Sequence, residues 1–481
     1  MATKELYVND FSAGLITKFP PHLIPHPGAS ALCENWDLSE KVGALVRRKG
    51  RAVHKTALAS SDKVSGLFQY VQADGDTFLI ASNNDDVYNV TGAGTWTSIF
   101  TGASMDGSEV NFSVMNDLLV IVNATITTQK WAGTGATAAL LGTPPANVKY
   151  IEKHANRMWM ANSSAGKSRL HYSALDDVED WTDTGDDGAG FIDVYPDDGE
   201  EITGIKSLGN ILLVWKRTRT FAVYNYKPSN FIVRELSPSV GCVANKTIVK
   251  TDTQAIFLSL SDVYFASIGG VVRASDAIKP SLLDLTTAAK EGAAAGHLNG
   301  QQYWLCYDSD ADSDNDVAFV LDYVNGIWSK YTNIEANVFM TDRNGDLFSG
   351  GADDVVIRQH HTGTDDEGSA ITATWKSKSY DFDTFVNEKF LYDLWLHAKA
   401  ISSINVTVDV FLNGVDQSYA KTISLTATDP TSAAEFVTFR QHLLSSFRGH
   451  LFQIQLKTNQ TGTRPEIQSF SVLYEMSERE S

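Results

Sequence analysis

Cysteine is scarce: Cys33, Cys242 and Cys306 are the only three in 481 residues. They are far apart, odd in number and without Cys-x-x-Cys spacing, which excludes a disulfide framework and leaves them as small buried hydrophobic residues. No apolar run approaches the roughly 18 residues needed to cross a bilayer. Met1 is followed by Ala-Thr-Lys-Glu instead of a cationic, apolar leader, so the chain is expected to be made and folded in a cytosol, with no membrane insertion of its own. Convincing amphipathic helices are scarce before residue 280. Metal-binding and catalytic motifs are missing as well. His154, His171, His297, His360 and His361 show neither His-x-x-x-His nor His-Glu-x-x-His spacing, and His360-His361 reads as a strand edge. Ala165-Gly166-Lys167-Ser168 ends like a phosphate-binding loop, but Ala161 stands where its first glycine is required. The Ser-x-Asp-x-Gly-x-x-Trp box of sialidase blades is absent. With 58 acidic residues, a carboxylate pair at glycosidase spacing would occur in any fold and diagnoses nothing. The expectation is a non-enzyme with no catalytic, cofactor or metal site.

Positive charge is also sparse. The net charge of −19 is concentrated in the middle: residues 1–60 carry +3, residues 61–369 carry −20 and residues 370–481 carry −2. A nucleic-acid binder clusters Lys and Arg to neutralise phosphates, so this balance excludes tight DNA binding but suits a wall past which DNA slides. The only tight cationic groups are Arg47-Arg48-Lys49 with Arg51 and Lys55, and Lys216-Arg217 with Arg219. The first is a candidate for docking an acidic neighbouring subunit.

What the chain does have is short strands. Leu67–Val71, Thr77–Ala81 and Asp86–Val90 alternate with Gly, Asp and Asn turns, and such units recur every 40 to 50 residues, the spacing of β-propeller blades. They fall near 62–105, 106–145, 146–195, 196–243, 244–289, 290–335 and 336–370. Several end in an aromatic followed by a Gly/Asp turn into Trp: Val87-Tyr88 to Gly94-Thr95-Trp96-Thr97, Leu170-His171-Tyr172 to Asp180-Trp181-Thr182, and Leu321-Asp322-Tyr323 to Gly326-Ile327-Trp328-Ser329. Asn344-Gly345 marks a hairpin within 342–351. The expected fold is all-β: a propeller of about seven blades, with six to eight possible, a short helical insertion at 280–295, and an amino-terminal strand able to complete the last blade. From Ala370 longer alternating strands predict an antiparallel β-sandwich or jelly roll, with the acidic loop 363–369 as boundary. The domains are therefore 1–61, an extended assembly segment; 62–369, the propeller; and 370–481, the sandwich.

Within the first segment, Phe11-Ser12-Ala13-Gly14-Leu15 reads as a short strand, Pro20-Pro21, Pro25 and Pro27 as an extended passage, and Gly28 to Asn35 as a short helix. A tight turn then leads to the basic strand. The order F-x-x-G-L, A-L-x-E-N-x-D-L, G-x-L-x-R-R-x-G resembles the amino-terminal segment of tail nozzle (tail-hub) proteins of short-tailed bacteriophages. The opening W-K-S-K-x-Y-D-F of the last domain and its final strand ending L-Y-E also look like the terminal sheet domain of phage nozzle and platform proteins.

The resemblance implies a virion tail protein, assembled in the host cytoplasm as a homo-oligomeric ring, a hexamer. It would extend the DNA channel below the adaptor and portal ring, contact tail fibres or spikes, retain packaged double-stranded DNA and gate its ejection. Candidate assembly contacts are Phe11, Leu15, Trp36, Arg47 and Arg48. Candidate gate residues lie in the acidic, glycine-bearing passage 183–201: Asp186, Asp187, Phe191, Asp197 and Asp198. The second such passage, Asp308 to Asp316, has carboxylates at alternate positions, but Ser313 and Phe319 replace the Gly and Glu of an EF-hand, so it reads as a solvated hairpin loop. The alternative function is a tail-associated propeller that binds or degrades polysaccharide.

Overall fold

The computed structural model describes residues 3–55, 62–91, 96–102, 105, 108–182, 184–352, 356–399, 404–425, 436–443 and 447–477. Asp183, Ser61 and the Gly94-Thr95 turn lie outside the described residues. The chain is all-β and is built on a β-propeller. Five separate antiparallel four-stranded sheets follow one another: Gly66–Val71 to Thr97–Thr101, Asn111–Met115 to Ala138–Ala139, Tyr150–His154 to Gly190–Asp193, Ile202–Leu208 to Ile232–Ser237, and Val249–Lys250 to Gly270–Arg273. A sixth is made of Val338–Thr341, Leu347–Gly350 and Ile357–His360, closed by the amino-terminal strand Arg51–Lys55. The predicted unit 290–335 is a four-strand meander, Ala294–Leu298 to Ile327–Thr332, that opens a ten-stranded sheet.

Local chemistry explains the meanders. Asn116-Asp117 (φ 52° and 60°) and Ala155-Asn156 (φ 48° and 55°) form two-residue turns whose left-handed conformations match the twist of the flanking strands. The Asn344-Gly345 hairpin joins Val338–Thr341 to Leu347–Gly350 as expected, and two short helices, Lys279–Leu283 and Thr287–Gly292, occupy the insertion. Apolar clusters fill the gaps between successive sheets, with Trp131, Trp159, Trp215 and Trp304 as their large members. Edge-to-face pairs such as Trp304 and Tyr331, 5.0 Å apart, each add about 0.5–1.5 kcal/mol beyond the area they bury.

Carboxy-terminal to the propeller, Lys389–Lys399 and Ile404–Leu412 alternate buried and half-buried positions, the period of a sheet with one covered face. Thr372–Ser377, Phe452–Asn459 and Ile404–Leu412 continue the ten-stranded sheet, while Lys389–Lys399, Glu466–Met476 and Phe436–His442 belong to a seven-stranded one. One cluster unites Trp375, Val408 and Leu456 of the first with Leu394, Leu396 and Phe470 of the second.

The first fifty residues depart from expectation. Gly28 to Asn35 contains no helix: Ser30–Glu34 is a strand, parallel to Ile327–Thr332 and antiparallel to Thr372–Ser377. A helix of that length is not stable by itself, and two open strand edges offer hydrogen bonds that its local preference cannot match. Phe11 to Leu15 forms a turn, with the Gly14 N–H donating to the Phe11 carbonyl at 3.1 Å, followed by a single bridge at Leu15. Lys4–Val8, Trp36–Asp37 and Leu45–Arg47 join the seven-stranded sheet. Residues 3–55 are thus shared among the sheets of both halves instead of forming a unit of their own.

Candidate functional site

Gly14, Asn35 and Gly50 explain the amino-terminal motif. A Cβ on Gly14 (φ +61°) would sit 2.6 Å from the Trp328 carbonyl oxygen, and one on Gly50 would sit 1.7 Å from that of Asp365, so both positions require glycine. The Asn35 amide donates to Thr332 Oγ1 and to the Thr372 carbonyl, both at 2.7 Å, while its Oδ1 accepts from Arg48 Nε at 2.8 Å and from the Thr332 N–H at 3.0 Å. Arg48 then grips Asp366 through two bonds of 2.9 and 2.6 Å and also donates to the Thr332 and Lys49 carbonyls. Arg51 and Arg358 each reach Glu335 and Glu367. The loop taken as a domain boundary is therefore the acidic partner of the basic cluster.

This arrangement places the five candidate assembly contacts in the interior of the chain. Phe11 packs edge-on against Trp375 at 5.2 Å, and Leu15, whose N–H donates to the Trp328 carbonyl, and Trp36 are buried in the same core. Arg47 donates to the carbonyls of Gln460, Thr364 and Gly462; burial, with repulsion from Arg464 and Arg48, lowers its pKa to about 10. All five are at most 3% exposed and pack within their own chain, where the motif segment joins the sheets of both halves. The second cationic group is likewise used internally: Lys216 and Arg219 meet Asp198, and Arg217 meets Glu291.

The innermost strands of the successive sheets converge on a cavity of about 260 Å³. Phe68, Phe112, Tyr150 and Phe339 supply its apolar wall, and its charged residues, Glu109, Glu152, Lys206 and Lys246, balance. Asn245 donates to Glu109 at 2.6 Å and to Asn111 at 3.1 Å; Lys246 donates to the side chain and carbonyl of Asn337, both at 3.0 Å; Lys206 pairs with Glu152 at 3.2 Å. Burial, opposed by Glu109, lowers the Lys246 pKa, and burial with Glu109 and Glu201 raises that of Tyr150 well above its ordinary value. Such a space holds on the order of nine waters. A duplex whose major groove alone spans about 12 Å cannot enter it. The acidic excess of residues 61–369 is therefore not in the propeller's own cavity. Nothing in the sequence marks Glu109, Asn245, Lys246 or Asn337, because only circular closure brings them together.

The passage holding the gate candidates is pinned to the propeller rim. Arg157 donates to the carbonyls of Ser173, Gly188 and Asp186 at 2.7, 2.5 and 2.6 Å, and the Asp187 carbonyl accepts from the Leu175 N–H. Phe191 lies on the outer strand Gly190–Asp193, 53% exposed, with the Arg169 guanidinium 3.8 Å from its ring centre. Asp197 and Asp198 sit in the 3-10 turn Pro196–Asp198. Burial works to raise the Asp198 pKa, but bonds from Lys216, the Glu200 N–H and Arg219 outweigh it and leave it lowered. Strand pairing and a buried arginine thus hold the gate-candidate passage against the propeller.

In the second passage, Asp308 accepts the N–H groups of Asp310, Ala311 and Ser313, Asp316 accepts from Ser309, and Asp314 pairs with Lys63 at 2.6 Å. This is a hairpin loop folded on its own carboxylates. The three cysteines are buried as read, and burial raises the thiols of Cys33 and Cys242 to about 12. Among the described residues, no helix is long and apolar enough to cross a membrane.

The sheets define the class: an all-β protein built on a β-propeller. No family model matches the chain and no curated protein matches it. Among solved structures it is similar to a streptogramin B lyase, with 13% identity and TM-score 0.43 over 64% of this chain and 97% of that one. It is also similar to the Pan2 WD40 domain of Neurospora crassa (6%, TM-score 0.43, 66% and 95%) and to BamB from Moraxella catarrhalis (15%, TM-score 0.37, 66% and 93%).

Proposed function

We propose that the chain is a non-enzymatic structural subunit of a short-tailed phage tail nozzle, in which a seven-bladed propeller is fused to a carboxy-terminal β-sandwich. The meander Ala294–Leu298 to Ile327–Thr332, counted with the six separate sheets, supplies the seventh blade, and the two sheets sharing Trp375 and Phe470 supply the sandwich. The observation that carries the reading is the use of the motif segment. Ser30–Glu34 joins propeller to sandwich in one continuous sheet, and Arg51–Lys55 closes the propeller, so each subunit is a stiff block suited to a load-bearing ring. The narrow, charge-balanced cavity directs the DNA path to a lumen between six subunits, walled by the acidic propeller surfaces. Partners would be the adaptor and portal ring above and fibres or spikes alongside, with Asp186, Asp187, Phe191, Asp197 and Asp198 on a rim facing the lumen.

Electron microscopy of the purified assembly tests this. A six-fold ring with a central lumen is the expected result. A monomer or trimer that releases reducing sugar from host polysaccharide would overturn it in favour of the carbohydrate-active alternative.

A further inference from the structure

We infer that Asp37, Glu40 and His361 form a binding site for one divalent transition-metal ion of the zinc class, clamping the amino-terminal turn to the closing sheet of the propeller. One donor atom from each of the three lies within 4.8 Å of the others, beside a cavity of about 150 Å³ that they line together with Gln302. The three come from two segments far apart in the chain: Asp37 ends the strand Trp36–Asp37 and Glu40 follows in the next turn, while His361 follows the strand Ile357–His360.

Asp37 is 2% exposed and half used. Its Oδ1 accepts from the N–H groups of Ser39 and Glu40 and from Gln302 Nε2, whereas its Oδ2 takes no hydrogen bond from the described residues, and Arg464 acts on the carboxylate through its charge alone. Gln302 is itself fixed by the Trp304 indole at 2.8 Å, so the carboxylate is held in place. Among the described residues the His361 imidazole has no hydrogen-bond partner, with the Glu40 carboxylate and the Arg464 and Lys49 charges acting on it. Arg464 orients Glu40 through both its oxygens and leaves a further lone pair on each. Ligand bonds of about 2.0–2.2 Å in tetrahedral geometry separate donors by about 3.4 Å, so the three, now within 4.8 Å of one another, need converge by about 1.4 Å at most. Rotation of the half-buried His361 and exposed Glu40 supplies that movement. An imidazole beside two carboxylates tips preference away from Ca²⁺ and Mg²⁺ toward Zn²⁺ and its neighbours, and the cavity leaves room for a water at the remaining position.

Calorimetric titration of the full-length, untagged, chelator-treated protein with ZnCl2 tests the site. One Zn²⁺ per chain and a raised thermal midpoint are expected, with CaCl2 giving neither. His361→Ala should weaken binding at least tenfold, and Glu40→Gln provides a second variant should the first fail to fold. Absence of Zn²⁺ binding by the parental chain overturns the proposal. So does equal response to CaCl2, or parental affinity in the folded variants.

Discussion

Replacing Arg48 by Ala measures what joins the two halves of this chain. Side-chain exposure is 2% for Arg48 and 3% for Asp366, so neither charge can recover hydration when its partner is lost. The substitution deletes five hydrogen bonds: two to Asp366 and one each to Asn35 Oδ1, the Thr332 carbonyl and the Lys49 carbonyl. Among the described residues, the Asn333 amide at 3.3 Å is the one hydrogen-bond donor left to the Asp366 side chain. Breaking a buried pair by removing one partner costs about 3–5 kcal/mol, against about 0–1 kcal/mol for an exposed pair. Urea is the denaturant of choice because it does not screen charge, and far- and near-UV circular dichroism should lose signal together, since the lost contacts bridge one continuous sheet. Arg48→Met with Asp366→Leu removes both charges and should recover part of the loss, the remainder belonging to the acceptors left on Asn35 and Thr332. A loss below about 1 kcal/mol for Arg48→Ala would refute the reasoning, because the pair would then be behaving as a solvated one.

Other outcomes follow from the same geometry. A chain beginning at residue 62 loses the Arg51–Lys55 strand and the Phe11 and Trp36 anchors, so it should aggregate or fail to fold; a soluble, cooperatively unfolding product in size-exclusion and thermal assays would contradict blade closure by this segment. His154, with Nδ1 on Ser207 Oγ at 2.9 Å, has its pKa lowered to about 4, chiefly by burial. The native imidazole is neutral while the unfolded one protonates near pH 6.5, so its contribution is complete above about pH 6.5 and falls by about 1.4 kcal/mol per unit as pH drops toward 4. His171 and His361, also lowered to about 4, add the same trend, so His154→Gln should lessen the fall in urea midpoint from pH 7 to pH 5 without abolishing it, and an unchanged fall would assign the effect elsewhere. Phe191→Ala removes an exposed cation–π contact with Arg169 and should cost under about 1 kcal/mol, yet cause DNA leakage from filled heads if the rim forms the gate. Intact genome retention through purification would remove Phe191 from that role.

The sequence by itself determined the all-β class, the propeller texture, the helical insertion and the closing amino-terminal strand. Each follows from near-neighbour physics: alternation along strands such as Gly66–Val71, turn residues such as Asn344-Gly345, and a repeat length set by four short strands. It also marked Phe11, Gly14, Asn35 and Arg48 as a group, although their work was legible only once their partners were placed. Tertiary structure alone decided that Ser30–Glu34 is a strand, since its hydrogen bonds are made with residues about 300 and 345 positions away and outweigh local preference. It likewise decided that the acidic segment around Asp366 is the partner of the basic cluster, and that Arg157 ties the passage around Asp186 to the rim. The axis residues Glu109, Asn245, Lys246 and Asn337, and the group Asp37, Glu40 and His361, were invisible for the same reason. A pairing made by ring closure leaves no spacing in the chain, because every sheet contributes only one short strand to the axis.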